Sequence, residues 1–216
     1  MSNAVHASET RATVVAPLLL EEINHRVANE YALAIASIGL EAARIVDADA
    51  RAALRRVAAK LRAFAEAHRA LESPRSNGEV SLGSHLDRLC AAISAAQTDR
   101  GVKLILLEDA VLLAPERCWR VGLIVAELIT NAIRHGFGDN GGTIVVEVRR
   151  LGTEISCQVA DDGGSLPNPP PSRGRQVVEA LAGELGGDVS WRFGPDGVTA
   201  NLNFPLRPEL SARPSI

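Results

Sequence analysis

The sequence predicts an α+β protein in two parts, a helical hairpin followed by a sandwich of helices on a β-sheet. Before residue 73, apolar residues recur at the three- and four-residue spacing of helices. Residues 73–78, Ser-Pro-Arg-Ser-Asn-Gly, are helix breakers and mark the boundary between the parts. After it, helical segments are interspersed with short segments in which every second residue is apolar, as in strands. Helices and antiparallel strands in this order favour a sheet with helices packed on one face.

The composition argues against several classes of protein. A formal net charge of −3 over 216 residues provides no broad basic surface, so nucleic acid is not expected as a partner. The apolar runs are too short to span a bilayer and no signal-peptide pattern opens the chain, which predicts a cytoplasmic protein with no membrane partner. Cys90, Cys118 and Cys157 lack metal-site spacing, so we expect reduced thiols in the core.

The first part, residues 17–73, is predicted to be a pair of long helices. Residues 1–16 have no periodic pattern and are predicted to form a flexible arm. Helical periodicity covers residues 17–46 and 50–71, with a short break between them. One hairpin cannot cover the apolar faces of both helices, so we predict that a second copy completes a homodimeric four-helix bundle. The predicted seam of the second helix consists of Leu54, Val57, Leu61, Phe64, His68 and Leu71.

His25 lies on the polar side of the first predicted helix. On a helical wheel it points about 140° away from the apolar stripe, towards solvent. The residues one and two turns further along are mostly small, so a partner protein could approach the imidazole closely. Taken alone, the pattern is more typical of an ordinary surface histidine. The predicted docking surface consists of Ala28, Asn29, Ala32 and Ala36.

The second part, residues 79–206, is predicted to contain helices and strands in alternation. Proline stands at the start of the longest helix, where its missing N–H has no helical partner to lose. The tail, residues 207–216, is predicted to be flexible. The helices are predicted at residues 82–96, 115–135 and 173–185, and the strands at residues 102–107, 143–150, 154–160, 188–192 and 199–204.

Glu127 and Asn131 are four residues apart on the longest predicted helix, and Arg134 and His135 follow one turn later. An amide oxygen can complete the ligand shell of Mg²⁺ while the cation bridges phosphates, and a guanidinium can neutralise phosphate charge. The spacing therefore indicates a candidate metal and phosphate site. Polar residues on the outer face of an amphipathic helix would give the same pattern.

Asp161 ends a predicted strand and is followed by Asp162, Gly163 and Gly164. A buried aspartate can accept a hydrogen bond from the exocyclic amine of adenine, and glycines allow the backbone to approach the base. The alternative is an ordinary Asp-Gly turn between two strands. Each of these motifs is ambiguous when taken singly.

Taken together and in this order, the motifs resemble the core of a two-component sensor histidine kinase. The histidine of the hairpin is followed by E-L-I-T-N-A-I-R-H-G from Glu127 and by D-D-G-G-S-L-P from Asp161. The acceptor box H-R-x-x-N, from His25 to Asn29, is similar to that of a branch related to the HWE kinases, although the W-x-E signature is absent. The resemblance extends over residues 18–206.

The resemblance implies a dimerisation and histidine-phosphotransfer hairpin followed by a Bergerat-type ATP-binding domain. His25 would accept the phosphoryl group, with Glu22 taking the ring proton and Glu127 supporting the attack geometry. Asn131 would bind Mg²⁺, and Asp161 would recognise adenine. The implied partner is the receiver domain of a response regulator. The residues placed around ATP are Asn131, Arg134, His135, Asp161, Gly163, Arg173, Gly174 and Arg175.

The sequence departs from the family pattern in the segment that should close over ATP. Residues 167–172 are short and contain four prolines, and the usual G-L-G-L end is replaced by Ser172-Arg173-Gly174-Arg175. Stiff proline spacing and lost glycines oppose backbone wrapping of the phosphates, although the two arginines could contact phosphate through their side chains. Two alternatives therefore stand beside the histidine kinase: an ATP-independent histidine phosphotransferase that relays phosphoryl groups between receivers, and a non-catalytic receiver-binding module.

Overall fold

The computed structural model describes residues 26–74, 76–97, 101–137, 141–164 and 172–207, and the chain divides into two compact units, Met1–Glu72 and Ser73–Ile216. The predicted arm and the predicted tail beyond residue 207 lie outside the described residues. In the part of the chain that is described, no helix is both long and apolar enough to cross a membrane.

The first unit contains a pair of helices. Helix α1 covers the described residues 26–44, and helix α2 is Ala48–Ala70. Helix α2 begins two residues earlier than the periodicity predicts, because the Asp47 side chain caps it by accepting a hydrogen bond from the Ala50 N–H at 2.7 Å. The rings of Tyr31 on α1 and His68 on α2 lie 6.4 Å apart, so the two helices are in contact.

The apolar residues of this hairpin fall into two sets. The residues buried within one copy are small, namely Ala42, Ala58 and Ala65. Larger apolar side chains remain exposed, and they come in pairs seven residues apart on each helix. Val57 and Phe64, both in the predicted seam, are 49% and 37% exposed. The exposed members on the helices are Leu33, Leu40, Val57 and Phe64, and Val46 in the connection between the helices is also exposed.

The second unit is built on a five-stranded sheet in the order β2-β4-β5-β7-β6. Strand β2 runs parallel to β4, whereas every other pair in this sheet is antiparallel. The α+β sandwich is confirmed, and this pair is the exception to the predicted antiparallel strands, because a helix crosses over between β2 and β4. The strands are β2 Val102–Glu108, β4 Gly142–Leu151, β5 Glu154–Asp161, β6 Asp188–Gly194 and β7 Gly197–Pro205.

A separate two-stranded sheet pairs β1, Val80–Ser81, with β3, Leu112–Leu113. These strands are too short to produce an alternating pattern and were not predicted. They hold the start of helix α3, because the Leu82 N–H donates a hydrogen bond to the Val111 carbonyl at 3.0 Å. The helices of this unit are α3 Leu82–Ala96, α4 Pro115–Asn131 and α5 Arg173–Glu184.

Helix α4 ends four residues earlier than predicted, and a π-helical turn, Ala132–Gly136, follows it. A π turn has more residues per turn than an α-helix and therefore rotates the side chains that follow. Arg134 and His135 consequently point in different directions from those expected of a continuous α-helix.

One face of the sheet carries the core. The strand register aligns Val146, Val159, Ala200 and Trp191 in one row across β4, β5, β7 and β6. Because alternate residues share a face, the buried residues at 144 and 148 on β4 and at 202 and 204 on β7 lie on the same side. Helices α3, α4 and α5 pack against the sheet. The row consists of buried Val146, Val159 and Ala200, followed by half-buried Trp191 at the edge of the sheet.

Arg117 fixes helix α4 to the far end of helix α5. Its side chain is 9% exposed, and it donates hydrogen bonds to the carbonyls of Leu185, at 3.1 Å, and Pro205. The guanidinium also lies 5.5 Å from the ring centre of Phe204. These contacts satisfy carbonyl groups at the end of α5 and hold the helix on the sheet.

Candidate functional site

A cavity of about 460 Å³ lies in the second unit, between the end of α4, the start of α5 and the inner face of the sheet. This volume is in the range of small-molecule binding sites. The lining residues on the helices and turns are Leu128, Asn131, Ala132, His135, Gly136, Gly164, Ser172 and Arg175, and those on the strands are Val159, Asp161, Trp191, Phe193, Val198 and Ala200.

Asp161, the last residue of β5, provides an acidic group inside this cavity. Its Oδ1 accepts hydrogen bonds from the backbone N–H groups of Gly163, at 3.0 Å, and Val198, at 3.3 Å. Because both bonds use Oδ1, they fix the carboxylate and leave Oδ2 for a ligand. Burial raises the pKa of Asp161, although the two N–H donors act in the opposite direction. The site therefore holds a hydrogen-bond acceptor in a fixed orientation, and a ligand can donate a hydrogen bond to its Oδ2.

Glycines allow the π turn to approach Asp161. A Cβ at Gly163 would lie 2.2 Å from the Gly136 carbonyl oxygen, and a Cβ at Gly136 would lie 3.1 Å from Oδ1 of Asp161. Side chains at these positions would therefore push the turn and the strand end apart. Gly163 supports the wall of the cavity without lining it, whereas the next residue, Gly164, lines it.

Glu127 and Asn131 form a hydrogen-bonded pair at the end of α4. The Asn131 Nδ2 donates to Oε1 of Glu127 at 3.2 Å, so the amide oxygen of Asn131 is directed away from this bond. An amide oxygen is a ligand that Mg²⁺ accepts. Within the described ranges, no group of three or more His, Cys, Asp or Glu residues is arranged to hold a metal ion. A cation here would depend on Asn131 together with oxygen atoms from a bound phosphate.

Helix α5 begins directly against this pair. A Cβ at Gly174 would lie 2.1 Å from Oε1 of Glu127 and 3.3 Å from Nδ2 of Asn131. Glycine at this position is thus required for the first turn of α5 to contact the two side chains. Ser172 caps the helix, and its Oγ accepts a hydrogen bond from the Arg175 N–H at 3.3 Å.

The remaining predicted nucleotide-binding residues differ in their positions. Arg134, His135 and Arg173 are all exposed. Of these three, His135 lines the cavity, whereas the side chains of Arg134 and Arg173 are not part of its wall. Arg175 is half-buried and lines the cavity.

Two residues that sequence reasoning missed form the edge of the cavity. Trp191 and Phe193 lie on the same face of β6, and their rings are stacked with 6.1 Å between centroids and 5° between planes. Arg175 lies over both rings, at 5.4 and 5.1 Å from their centroids. The signal in the sequence is the pair of aromatics two residues apart on a strand, in a chain with only 3% aromatic residues.

In the helical unit, the predicted catalytic residues Glu22 and His25 lie outside the described residues, which begin at Arg26. The predicted docking surface is within them. Asn29, Ala32 and Ala36 are exposed on α1, and Ala28 is half-buried.

Two family models match the chain. The model described as "Histidine kinase" matches residues 22–97, and the model described as "Histidine kinase-like ATPase domain" matches residues 89–188. The cavity residues from Leu128 to Ser172 lie within the second match.

Curated relatives of the chain are also named as histidine kinases. The chain is 28% identical over 197 residues to blue-light-activated histidine kinase 2 of Erythrobacter litoralis, covering 87% of this chain and 57% of the relative. It is 29% identical over 206 residues to the sensor histidine kinase PdtaS of Mycobacterium tuberculosis, covering 91% and 41%. The chain thus spans between about two fifths and just over half of the length of these relatives.

Solved structures with a similar fold include a histidine kinase domain and a phosphotransferase. The histidine kinase domain of the Erythrobacter litoralis EL346 blue-light-activated kinase gives a TM-score of 0.59 at 22% identity, covering 82% of this chain and 96% of that one. A bacterial phosphotransferase gives a TM-score of 0.56 at 14% identity, covering 81% and 88%. At these identities the likeness concerns the fold.

Proposed function

We propose that this chain, whose residues 22–97 and 89–188 match histidine kinase family models, phosphorylates His25 from ATP and passes the phosphoryl group to an aspartate of a separate receiver domain. The observation that carries this proposal is the convergence of Asp161, Asn131 and Arg175 on one cavity of about 460 Å³. An oriented acceptor for the base, an amide for a cation and a positive charge for phosphate are the groups that ATP requires.

In the proposed complex, Oδ2 of Asp161 accepts a hydrogen bond from the adenine amine. The base lies against apolar side chains of the sheet and of α4, among them Val159, Ala200 and Leu128. The phosphates extend towards Asn131, whose amide oxygen would hold Mg²⁺ together with oxygen atoms of the nucleotide. When bound, Mg²⁺ supplies positive charge that neutralises the phosphates.

The proposed chemical step transfers the γ-phosphoryl group to His25. The neutral imidazole nitrogen forms a bond to phosphorus, the bond from phosphorus to the β,γ-bridging oxygen breaks, and ADP leaves with the electron pair. Glu22 takes the proton of the ring, and Glu127 holds Asn131 in place through their hydrogen bond. The phosphohistidine then donates its phosphoryl group to a receiver aspartate, which regenerates His25.

The hairpin unit is proposed to supply both the dimer and the docking surface. The exposed apolar residues Val57 and Phe64 of α2 are seven residues apart in the predicted seam, which fits a second hairpin completing a four-helix bundle. Ala32 and Ala36, exposed one turn apart on α1, are proposed to face the receiver domain. Their small side chains allow close approach to the acceptor histidine.

An ATP-independent histidine phosphotransferase is the second candidate. Residues 167–172, with four prolines, lack the glycines that a backbone needs in order to wrap a triphosphate. The similarity in fold to a bacterial phosphotransferase is in keeping with this candidate. In this second candidate function, phosphoryl groups would move between receiver domains through His25 of this chain without ATP.

Titration calorimetry with a non-hydrolysable ATP analogue and Mg²⁺ separates the two candidates. The kinase requires binding to the wild-type chain, with loss of most of the affinity in Asn131→Ala. The phosphotransferase requires that no binding heat is detected, while a phosphorylated receiver still labels His25. The combination of no binding and no labelling would overturn both.

A further inference from the structure

We infer that Trp191 and Phe193 are positioning residues for Arg175, and that Arg175 so placed supplies the phosphate-binding charge that glycine-rich backbone would otherwise provide. This inference rests on the proposed function, since it names the residues that hold the phosphates of the same nucleotide.

Trp191 and Phe193 form a stacked aromatic pair at the edge of the cavity. Trp191 and Phe193 occupy alternate positions of β6, which places both rings on the inner face of the sheet. Their partners across the strand pair are Ala200 and Val198, which are small, so the rings overhang the cavity. The rings lie within 5° of parallel. They form a continuous apolar surface at the edge of the site.

The side chain of Arg175 lies above this aromatic surface. Its guanidinium lies 5.4 Å from the Trp191 centroid and 5.1 Å from the Phe193 centroid, within the range of cation–π attraction to both. An arginine on a helix surface normally samples many rotamers, and binding a ligand then has an entropic cost. Two aromatic faces restrict these rotamers before a ligand arrives.

Arg175 lies next to the other groups of the proposed phosphate site. Gly174, the preceding residue, contacts the Glu127–Asn131 pair, so the first turn of α5 lies beside the proposed cation ligand. Arg175 and Asn131 line the same cavity. The backbone N–H of Arg175 already donates to Oγ of Ser172. The Arg175 N–H is therefore engaged, and this residue can contact phosphate only through its side chain.

The guanidinium chemistry suits this role. A planar guanidinium presents several N–H donors in a fixed fork and can keep an aromatic ring on its face while it donates in its plane. Cation–π contact and phosphate binding are therefore compatible in one geometry. Lysine would retain the charge but would lose the fork and the planar stacking.

The experiment measures affinities for adenosine, ADP and ATP with Mg²⁺ by calorimetry, in the wild type, in four variants and in one combination of them. Arg175→Gln removes the charge, and Arg192→Gln is the matched control, because Arg192 lies between the two aromatics on β6 but is exposed. The double variant with Trp191→Leu and Phe193→Leu removes both aromatic rings, whereas Trp191→Phe keeps an aromatic ring at position 191. Circular dichroism confirms that each variant is folded.

We expect Arg175→Gln to lower the affinity for ADP and ATP about tenfold while adenosine binds as in the wild type, because only phosphate contacts are lost. The Leu pair should lower the same affinities about threefold and cause no additional loss when combined with Arg175→Gln. Arg192→Gln and Trp191→Phe should stay within about twofold of the wild type.

The outcomes separate this inference from the proposed function. Equal affinities in Arg175→Gln and Arg192→Gln would overturn the role of Arg175 while leaving nucleotide binding intact. Loss of adenosine affinity in the Leu pair would overturn the positioning role, because the rings would then be stacking on the base. Absence of any binding to the wild type would overturn the inference and the ATP-dependent kinase together.

Discussion

Gly174 and Glu127 are in such close contact that a Cβ at Gly174 would lie 2.1 Å from Oε1 of Glu127. The contact joins the start of α5 to the end of α4. At the same place, Glu127 accepts a hydrogen bond from the side chain of Asn131, the proposed cation ligand. Glycine at this position is therefore a requirement of the site.

We predict that Gly174→Ala lowers the affinity for ATP and Mg²⁺ about five- to tenfold, because the methyl group displaces Glu127 and breaks its hydrogen bond with Asn131. The fold should persist, since the displaced atoms are the end of a flexible side chain. Calorimetric titration measures the affinity, and thermal unfolding checks the fold.

Gly183 is the matched control in the same helix. A Cβ at Gly183 would meet no atom within 4 Å, so Gly183→Ala should leave nucleotide affinity unchanged and raise stability by up to about 1 kcal/mol. If both alanine variants bind ATP like the wild type, the contact between α5 and Glu127 does not serve nucleotide binding.

Asp161→Asn is predicted to abolish adenine recognition without unfolding the chain. The Asn Oδ1 can still accept from Gly163 and Val198, but the amide nitrogen would replace Oδ2 and meet the adenine amine donor to donor. We expect a loss of about 10- to 100-fold in ATP affinity. Since burial raises the pKa of Asp161, removing its charge should not lower the stability at pH 7.

The adjacent residue provides the control for this change. Oδ1 of Asp162 accepts a hydrogen bond from the Thr143 N–H at 2.7 Å, and Asp162 does not line the cavity. Asp162→Asn can keep that bond and should bind ATP within about twofold of the wild type. Equal losses of ATP affinity in the two variants would mean that binding depends on the negative charge at this turn in general and not on the carboxylate of Asp161 in particular.

The exposed apolar residues of the hairpin predict a dimer that one carboxylate can disrupt. Phe64→Asp should convert a dimer into a monomer in light scattering, because the carboxylate would be buried without a partner at a cost of several kcal/mol. Ala59→Asp is the control, since Ala59 lies about 150° from the centre of the apolar stripe on a helical wheel and is exposed. A wild-type monomer, or a dimer in both variants, would contradict the four-helix bundle.

His85 predicts an acid-dependent loss of stability in the second unit. It is 2% exposed beside Gly122, and its Nε2 has no hydrogen-bond partner in the part of the chain that is described. Burial, together with the smaller effect of the Arg88 charge, lowers the pKa of His85 to about 4. The folded state therefore binds its proton less readily than the unfolded state, so stability falls as the pH drops from 6.5 towards 4.

Between pH 7 and pH 5 this histidine should remove about 2 kcal/mol of stability. Urea unfolding of the wild type and of His85→Leu at both pH values measures the difference. The variant should lose about 2 kcal/mol less than the wild type over this interval. Identical losses would mean that His85 is not the group responsible.

The helices and strands followed from periodicity because local patterns determine them. Helix α3, Leu82–Ala96, begins and ends where the pattern does, since apolar residues cover one face and Ser81 caps it. The parallel pairing of β2 with β4 depends on a crossover through α4, and no local pattern encodes it. The π turn Ala132–Gly136 also escaped prediction, because its residues have ordinary helical spacing.

Residues of the candidate site could be predicted where a sequence motif and the chemistry it suggests fall in one short segment. Glu127, Asn131 and Asp161 each belong to a short stretch whose residue types match a function. Arg175 was expected to contact phosphate, but its contact with Trp191 and Phe193 joins α5 to β6 and depends on how two distant segments pack. Single-sequence patterns contain no information about such packing.

The most direct test of the central proposal is incubation of the purified chain with γ-labelled ATP and Mg²⁺, with His25→Ala and Asp161→Asn as controls. We predict acid-labile label on the wild type, none on His25→Ala, and strongly reduced label on Asp161→Asn. An unlabelled wild type that accepts label from a phosphorylated receiver would contradict the kinase and establish the phosphotransferase. Undiminished label on His25→Ala would contradict the assignment of the phospho-acceptor.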